Sequence, residues 1–221
     1  MPHLTILVIP MSYIPRKYPR TLHIPQSLSV TSDDKVHKNL DQFSGLDVVI
    51  TEKMDGENTT IHCEGTHARS VDGRSHNSRA WLKQYASGIS HQLDPSERVC
   101  GEYVYARHSI AYDDLDTYFY GFGWFIDDVL QPWDDMVQRF SQLGIQTVPV
   151  LYRGPFHVQL IDEVVSRMDL TRQEGFVIRY SGEIISDNFS SLVGKFVRNG
   201  HVQTDKHWMY SEIIKNKLKG E

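Results

Sequence analysis

Val48-Val49-Ile50-Thr51-Glu52-Lys53-Met54-Asp55-Gly56-Glu57-Asn58 passes from a β-branched apolar run directly into an Asp-Gly turn. The apolar residues predict a strand over 47–52, and Asp55-Gly56 supplies a tight reversal into a second strand over 57–63. A lysine placed there can be aimed into a cleft between strands. To act as a nucleophile it needs a free amine, so its ordinary pKa of about 10.4 has to be lowered by burial or by neighbouring cations. An ordinary hairpin with a surface lysine has the same residues, so the stretch needs support from the rest of the chain.

Outward from it, alternating or β-branched runs predict further strands at 3–9, 98–104, 117–126, 174–180 and 192–198. Helical spacing appears at 78–88, 132–143, 158–168 and 205–218, with Pro132 suited to a helix start and Gly144 to a helix stop. Strands gathered in irregular groups between few helices favour an α+β fold with antiparallel sheets over a doubly wound one. Neither a repeat nor a Gly/Ser linker divides the sequence, so residues 1–221 are read as a single domain.

Hydrophobic residues are 40% of the chain and charged residues 23%, a globular balance that argues against collagen, coiled coil and extended disorder. No apolar run approaches the roughly 18 residues of a membrane span, and the opening MPHLTILVIP reads as a strand rather than a secretion signal. With Cys63 and Cys100 alone, the expectation is a reducing, cytoplasmic setting without a disulfide framework. Asp plus Glu exceed Lys plus Arg by 28 to 23, so a polyanion has to meet a local basic patch. Such patches lie at the ends: Arg16, Lys17 and Arg20, then Lys195, Arg198, Lys206, Lys215, Lys217 and Lys219. The plain reading of the second group is a solvated helix face. Eleven histidines form no HExxH pattern and no zinc-finger spacing with cysteine. His201 and His207 around Asp205 are read as packing or capping, and Trp208 as an anchor for the last helix.

Further motifs follow Lys53-Met54-Asp55-Gly56 in order: Gly101-Glu102-Tyr103, Tyr118-Phe119-Tyr120-Gly121-Phe122, Glu174-Gly175-Phe176-Val177-Ile178-Arg179 and Gly194-Lys195-Phe196-Val197-Arg198. This ordered set resembles the covalent nucleotidyltransferases, the superfamily of RNA ligases, DNA ligases and capping enzymes, and most closely the RNA ligase 2 family. Glu57-Asn58 is similar to the Gly-X-Asn of that group, where DNA ligases usually place arginine after Asp-Gly. The resemblance spans about residues 50 to 198. It implies an ATP-grasp-like nucleotidyltransferase fold whose antiparallel sheets flank a nucleotide cleft, and a lysine, Lys53, that becomes joined to AMP.

Within that resemblance Glu52, Lys53, Asn58, Arg69, Glu102, Phe119, Glu174, Lys195 and Arg198 are the expected nucleotide-binding set. Phe119 matches the aromatic that stacks on the purine, a contact worth about 1–3 kcal/mol per base. Glu102 and Glu174 are expected to hold Mg²⁺ or Mn²⁺, hard cations that take oxygen ligands. Arg69 and Asn58 match residues near the phosphates, an arginine fork being suited to bidentate phosphate contact. The family usually has two lysines two apart in its last motif, and here the second position is Val197. Arg198 alternates to the other strand face unless a bulge intervenes; Arg179 is another candidate for the missing charge. The implied function is an ATP-dependent RNA ligase that joins 5′-phosphate and 3′-hydroxyl RNA ends. The alternatives are a DNA ligase, a capping-type guanylyltransferase or a non-catalytic RNA-end-binding module. The resemblance also implies a minimal catalytic domain without an OB fold, with 1–46 as an N-terminal extension and 199–221 as a basic helical tail. End recognition is then expected from the termini or from a protein partner.

Overall fold

The computed structural model describes residues 12–71, 77–200 and 213–221. The strand expected at 3–9 lies outside them, as do Asp205, Lys206, His201, His207 and Trp208. In chain order the strands are β1 (Leu22–His23), β2 (Asp47–Glu52), β3 (Glu57–His62), β4 (Gly65–Ala68), β5 (Glu97–Tyr103), β6 (Phe119–Ile126), β7 (Val129–Leu130), β8 (Gln146–Thr147), β9 (Val150–Pro155), β10 (Gly175–Tyr180), β11 (Ile184–Ile185) and β12 (Val193–Val197). The helices are α1 (Ala80–Ser90), α2 (Trp133–Leu143), α3 (Leu160–Arg167) and the single turn α4 (Phe189–Leu192).

Two sheets result. The first runs β1-β12-β10-β2-β9, and the second runs β11-β7-β6-β5-β3-β4 with β8 beside β6. Pairing is antiparallel except for β1 with β12 and β6 with β8. β2 is buried over Val48–Thr51, and a strand covered on both faces reads as a continuous apolar run. The chain crosses from the first sheet to the second at Lys53–Gly56, immediately after that strand. Gly56 is required there, because a Cβ would lie 2.5 Å from the Tyr103 carbonyl oxygen.

The outer face of the second sheet is covered by α1 and α2, with Ile61, Val99, Phe119, Leu82 and Phe140 in its core. α2 stops at Gly144, whose positive φ of 69° is the left-handed stop expected of that glycine. The outer face of the first sheet packs Ile50, Phe176 and Phe196 against Leu160 and Ile161 of α3 and against Ile24 and Phe43. A third cluster, Cys100, Phe125, Leu130, Phe189 and Val193, joins the two sheets.

The N-terminal extension packs into the domain: Ile24 and Phe43 are fully buried and Tyr18 makes edge contacts with Phe122, Phe125 and Phe189. The expectation for the C-terminal end needs correction. The helical tail does not continue through 213–218. Lys215 bridges Ala106 and Leu218 bridges Leu115. The segment is held extended because buried Asn216 bonds the backbone on both sides of the 105–112 loop. Among the described residues no helix is long and apolar enough to cross a membrane.

Candidate active site

A cavity with about 700 Å³ of empty space opens between the two sheets. The first sheet contributes Glu52, Lys53, Val177, Arg179, Val193 and Lys195; the second contributes Asn58, Glu102 and Phe122; Trp133 and Tyr18 complete the walls. Alternation explains the set. Val193 and Lys195 lie on one face of β12, while Gly194 faces Ile24 on the other.

Lys53 stands where β2 ends, its backbone N–H donating to the Gly175 carbonyl at 2.9 Å. That bond places its side chain beside Glu174, the residue before β10. Lys53 Nζ donates to Glu174 Oε2 at 2.5 Å across 121 residues of sequence, and the Glu174 side chain is 1% exposed. Glu102 arrives from β5 and accepts the Gly56 N–H at 3.2 Å. Burial, opposed by Lys53 and reinforced by Glu174, pushes the Glu102 carboxyl up to about 8. Burial pulls Lys53 down, but Glu174, Glu102 and Asp55 outweigh it and leave its pKa above the ordinary lysine value. The lowering expected of a nucleophile is therefore not present in this arrangement, because the carboxylates around the amine prevail.

The cavity holds two more cations. Burial, followed by the Lys53 ammonium, holds Lys195 below its ordinary pKa. Arg179 is 4% exposed and burial lowers it to about 10. Its Nη2 donates to the Gln131 carbonyl at 2.8 Å and its Nε to the Tyr180 carbonyl at 3.1 Å, while Nη1 has no partner among the described residues. Glu52 accepts from Gln173 Nε2 at 2.8 Å, and burial raises its pKa.

Asn58 links this cavity to a shallower depression lined by Gly56, Glu57, Arg69, Ser70 and His108. Its Oδ1 is buried without a partner among the described residues. The Arg69 backbone N–H donates to the Asn58 carbonyl at 3.1 Å and its Nε to the Tyr18 carbonyl at 3.2 Å. Arg69 thus flanks the cavity mouth.

Among the described residues no group of three or more His, Cys, Asp or Glu forms a metal cage. Glu102 and Glu174 both act on Lys53, and two buried carboxyls so placed are suited to a divalent cation that takes its other oxygens from phosphate and water. The donor set fits Mg²⁺ or Mn²⁺ in that restricted sense.

Residues 46–197 match the family model described as RNA ligase, more than half of the 221 residues. The chain belongs to the RNA ligase family. Solved structures agree with this domain in fold. An archaeal ATP-dependent RNA ligase is 16% identical with a TM-score of 0.56, covering 82% of this chain and 48% of its own. A putative ATP-dependent DNA ligase from Aquifex aeolicus is 15% identical with a TM-score of 0.58, covering 84% and 50%. A Naegleria gruberi RNA ligase mutant with ATP and Mn is 15% identical with a TM-score of 0.53, covering 85% and 62%. The chain therefore spans about half the length of the first solved structures it matches. A comparison with curated proteins finds no match. The mixed fold, with its antiparallel sheets, is similar to that of ligase nucleotidyltransferase domains.

In this RNA ligase-family domain Glu52, Lys53, Asn58, Glu102 and Lys195 line the cavity, and Glu174 reaches it through Lys53. Phe119 does not. It is fully buried on the helix side of β6, with its ring in the space above Gly101, where a Cβ would lie 2.4 Å from Cζ. Phe122, three residues on, faces the cavity because an odd step along a strand reverses the side-chain direction. Arg198 is also outside: its Nη1 donates to the Leu170 carbonyl at 3.0 Å, and its strand carries no bulge that would turn it inward. Of the terminal cations, Lys215 pairs with Glu221, Lys219 with Asp116 and Arg16 with Asp128, which reduces the basic patches expected there. Sequence reasoning missed Tyr18 and Trp133 at the cavity, since both are brought in by tertiary packing. Phe122 was visible within its aromatic motif but not chosen.

Proposed function

We propose that this domain activates ATP by forming a covalent bond between Lys53 and AMP, and passes the AMP to a 5′-phosphate RNA end that is then sealed to a 3′-hydroxyl. The observation that carries the proposal is the meeting of Glu102, Glu174 and Lys195, from both sheets, around the half-buried Lys53 amine, in a cavity that Arg179 also lines and that has aromatic and aliphatic walls. Val177 and Phe122 supply apolar surface for a flat base, and Arg179 Nη1 offers a donor to an acceptor on it.

The Lys53 nitrogen attacks the α-phosphorus, forming a P–N bond as the P–O bond to pyrophosphate breaks. Glu174, 2.5 Å from Nζ, is placed to take the departing proton. Lys195 stabilises charge accumulating on the leaving group, as a fixed cation in a sheltered site does. A divalent cation held by Glu102 and Glu174 would neutralise the carboxylates whose field keeps Lys53 protonated. In the second step an oxygen of the RNA 5′-phosphate attacks the adenylyl phosphorus and the P–N bond breaks, restoring Lys53. In the third, the 3′-hydroxyl attacks the activated phosphate, a phosphodiester forms and AMP departs. The covalent intermediate divides one difficult condensation into steps with good leaving groups. Asn58 and Arg69, at the depression beside the cavity, are suited to the incoming phosphate.

Intact-mass spectrometry before and after ATP with Mg²⁺ tests this reading. The expected result is one added adenylyl group, lost in Lys53→Ala and in Lys53→Arg, whose guanidinium cannot serve as the amine. Unchanged labelling in either variant removes Lys53 from its role. Nicked RNA against nicked DNA then decides the strand type, since the likeness to the Aquifex protein is as large as that to the RNA ligases.

A further inference from the structure

The segment 213–221 lies beyond the family match, yet it carries a buried polar side chain that the proposed reaction does not use. Asn216 is 2% exposed. Its Oδ1 accepts the Tyr112 N–H at 3.0 Å, its Nδ2 donates to the Val104 carbonyl at 2.8 Å, its N–H donates to the Tyr105 carbonyl at 2.9 Å, and its own carbonyl accepts the Tyr118 hydroxyl at 3.1 Å. This one residue therefore clasps both ends of the loop that follows β5.

The same loop holds the lysine turn from its other side. The Tyr112 hydroxyl accepts the Asp55 N–H at 2.9 Å. The buried Asp55 carboxylate accepts the Ser109 N–H at 2.7 Å, the Ser109 hydroxyl at 2.7 Å and the Ile110 N–H at 2.8 Å. Gly56 is pressed against Tyr103 and Val104, and its N–H reaches Glu102. A continuous hydrogen-bonded route thus runs from Asn216 through Tyr112 to the turn two residues after Lys53.

We propose that Asn216 is a positioning residue for Lys53, and that residues 213–218 form a strap seating the 104–118 loop against Asp55-Gly56. The proposal rests on Lys53 being the adenylylated group. A buried amide stripped of its partner leaves the Tyr112 N–H and the Val104 carbonyl unpaired, so the loop relaxes to satisfy them. Relaxation shifts the phenol under Asp55, and a small displacement of a reacting atom lowers rate more than it lowers binding. The outer pairs of the strap, Lys215 with Glu221 and Lys219 with Asp116, are exposed and have no such leverage.

Single-turnover transfer of label from α-labelled ATP, measured on the full chain with Asn216→Ala, Tyr112→Phe, the double variant and Lys219→Ala, tests the proposal. Asn216→Ala and Tyr112→Phe are expected to slow label transfer at saturating ATP by at least about tenfold with little change in the half-saturating ATP concentration. The double variant should be no slower than the slower single one, because both act on one route. Lys219→Ala should match wild type. Tyr112→Phe removes only one oxygen, so it remains informative if Asn216→Ala fails to fold; a wild-type rate in Tyr112→Phe overturns the proposal. Amide exchange over residues 53–56 supplies a readout that needs no turnover, and it should quicken in both single variants. Wild-type protein that takes no label refutes the lysyl-AMP reading, whereas labelled wild type with unaffected variants refutes only the strap.

Discussion

Glu102 and Lys53 are perturbed in ways that can be measured separately. Burial pushes Glu102 up to about 8 in the folded protein, against an ordinary value of 4.5. Between those values the folded state binds more protons than the unfolded one, so stability falls as pH rises from about 4.5 to about 8. Lys53, whose pKa is also raised, has the same sign of linkage, but its contribution is lost from its ordinary value of 10.5 upward, outside that window. Thermal unfolding of the metal-free protein from about pH 5 to about pH 9 should show this decline, and Glu102→Gln, always neutral, should flatten it. Curves of the same slope for the two proteins would discard the buried carboxyl. At this scale the residue types of the candidate site were readable through the ordered motifs, and the proposed chemistry would use each of them: an amine for a bond to phosphorus, carboxylates for a cation, a cation for leaving phosphates. Their pKa directions were not readable, since these depend on which charges meet across 121 residues of sequence.

At the scale of elements, β6 separates two phenylalanines with different duties. Phe119→Ala opens the core between β6, α1 and α2 and should cost about 3–5 kcal/mol of stability with little change in nucleotide affinity of the folded fraction. Phe122→Ala should leave most of the stability and lose about 1–3 kcal/mol of nucleotide binding. Chemical denaturation and nucleotide titration on both variants check the assignment, and the reverse pattern would restore Phe119 as the stacking ring. The strands β2, β3, β5, β6, β10 and β12 and the helices α1, α2 and α3 were legible from β-branched runs, helical spacing and the Pro132 and Gly144 signals. β4 and β9 were not. β4 spans only four residues, and β9 contains Gly154 and ends on Pro155, so neither has the pattern of a strand taken alone.

At the scale of the molecule, the cavity is shared by two sheets that have separate cores on their outer faces. A nucleotide touching Lys195 and Arg179 on one sheet and Phe122 on the other would add contacts that the unfolded chain lacks. ATP at about 100 times its Kd should therefore raise stability by about 2.7 kcal/mol, read as an upward shift of the melting temperature by several degrees. The shift should shrink in Lys195→Ala. An ATP-insensitive melting curve in the wild type would show that the cavity does not take the nucleotide.

The amino-acid sequence by itself determined the α+β class and the order of the motifs, and through the resemblance those motifs carry it singled out Lys53, Glu102, Glu174 and Lys195 as candidates, because strand periodicity and motif order are both properties of the chain read locally. Tertiary structure alone decided which aromatic faces the cavity, that Arg198 turns away, that Tyr18 and Trp133 wall the site, and that Asn216 straps the loop beside the lysine turn. Those outcomes follow from side-chain direction and from long-range pairing, which depend on where segments far apart in the chain are brought together.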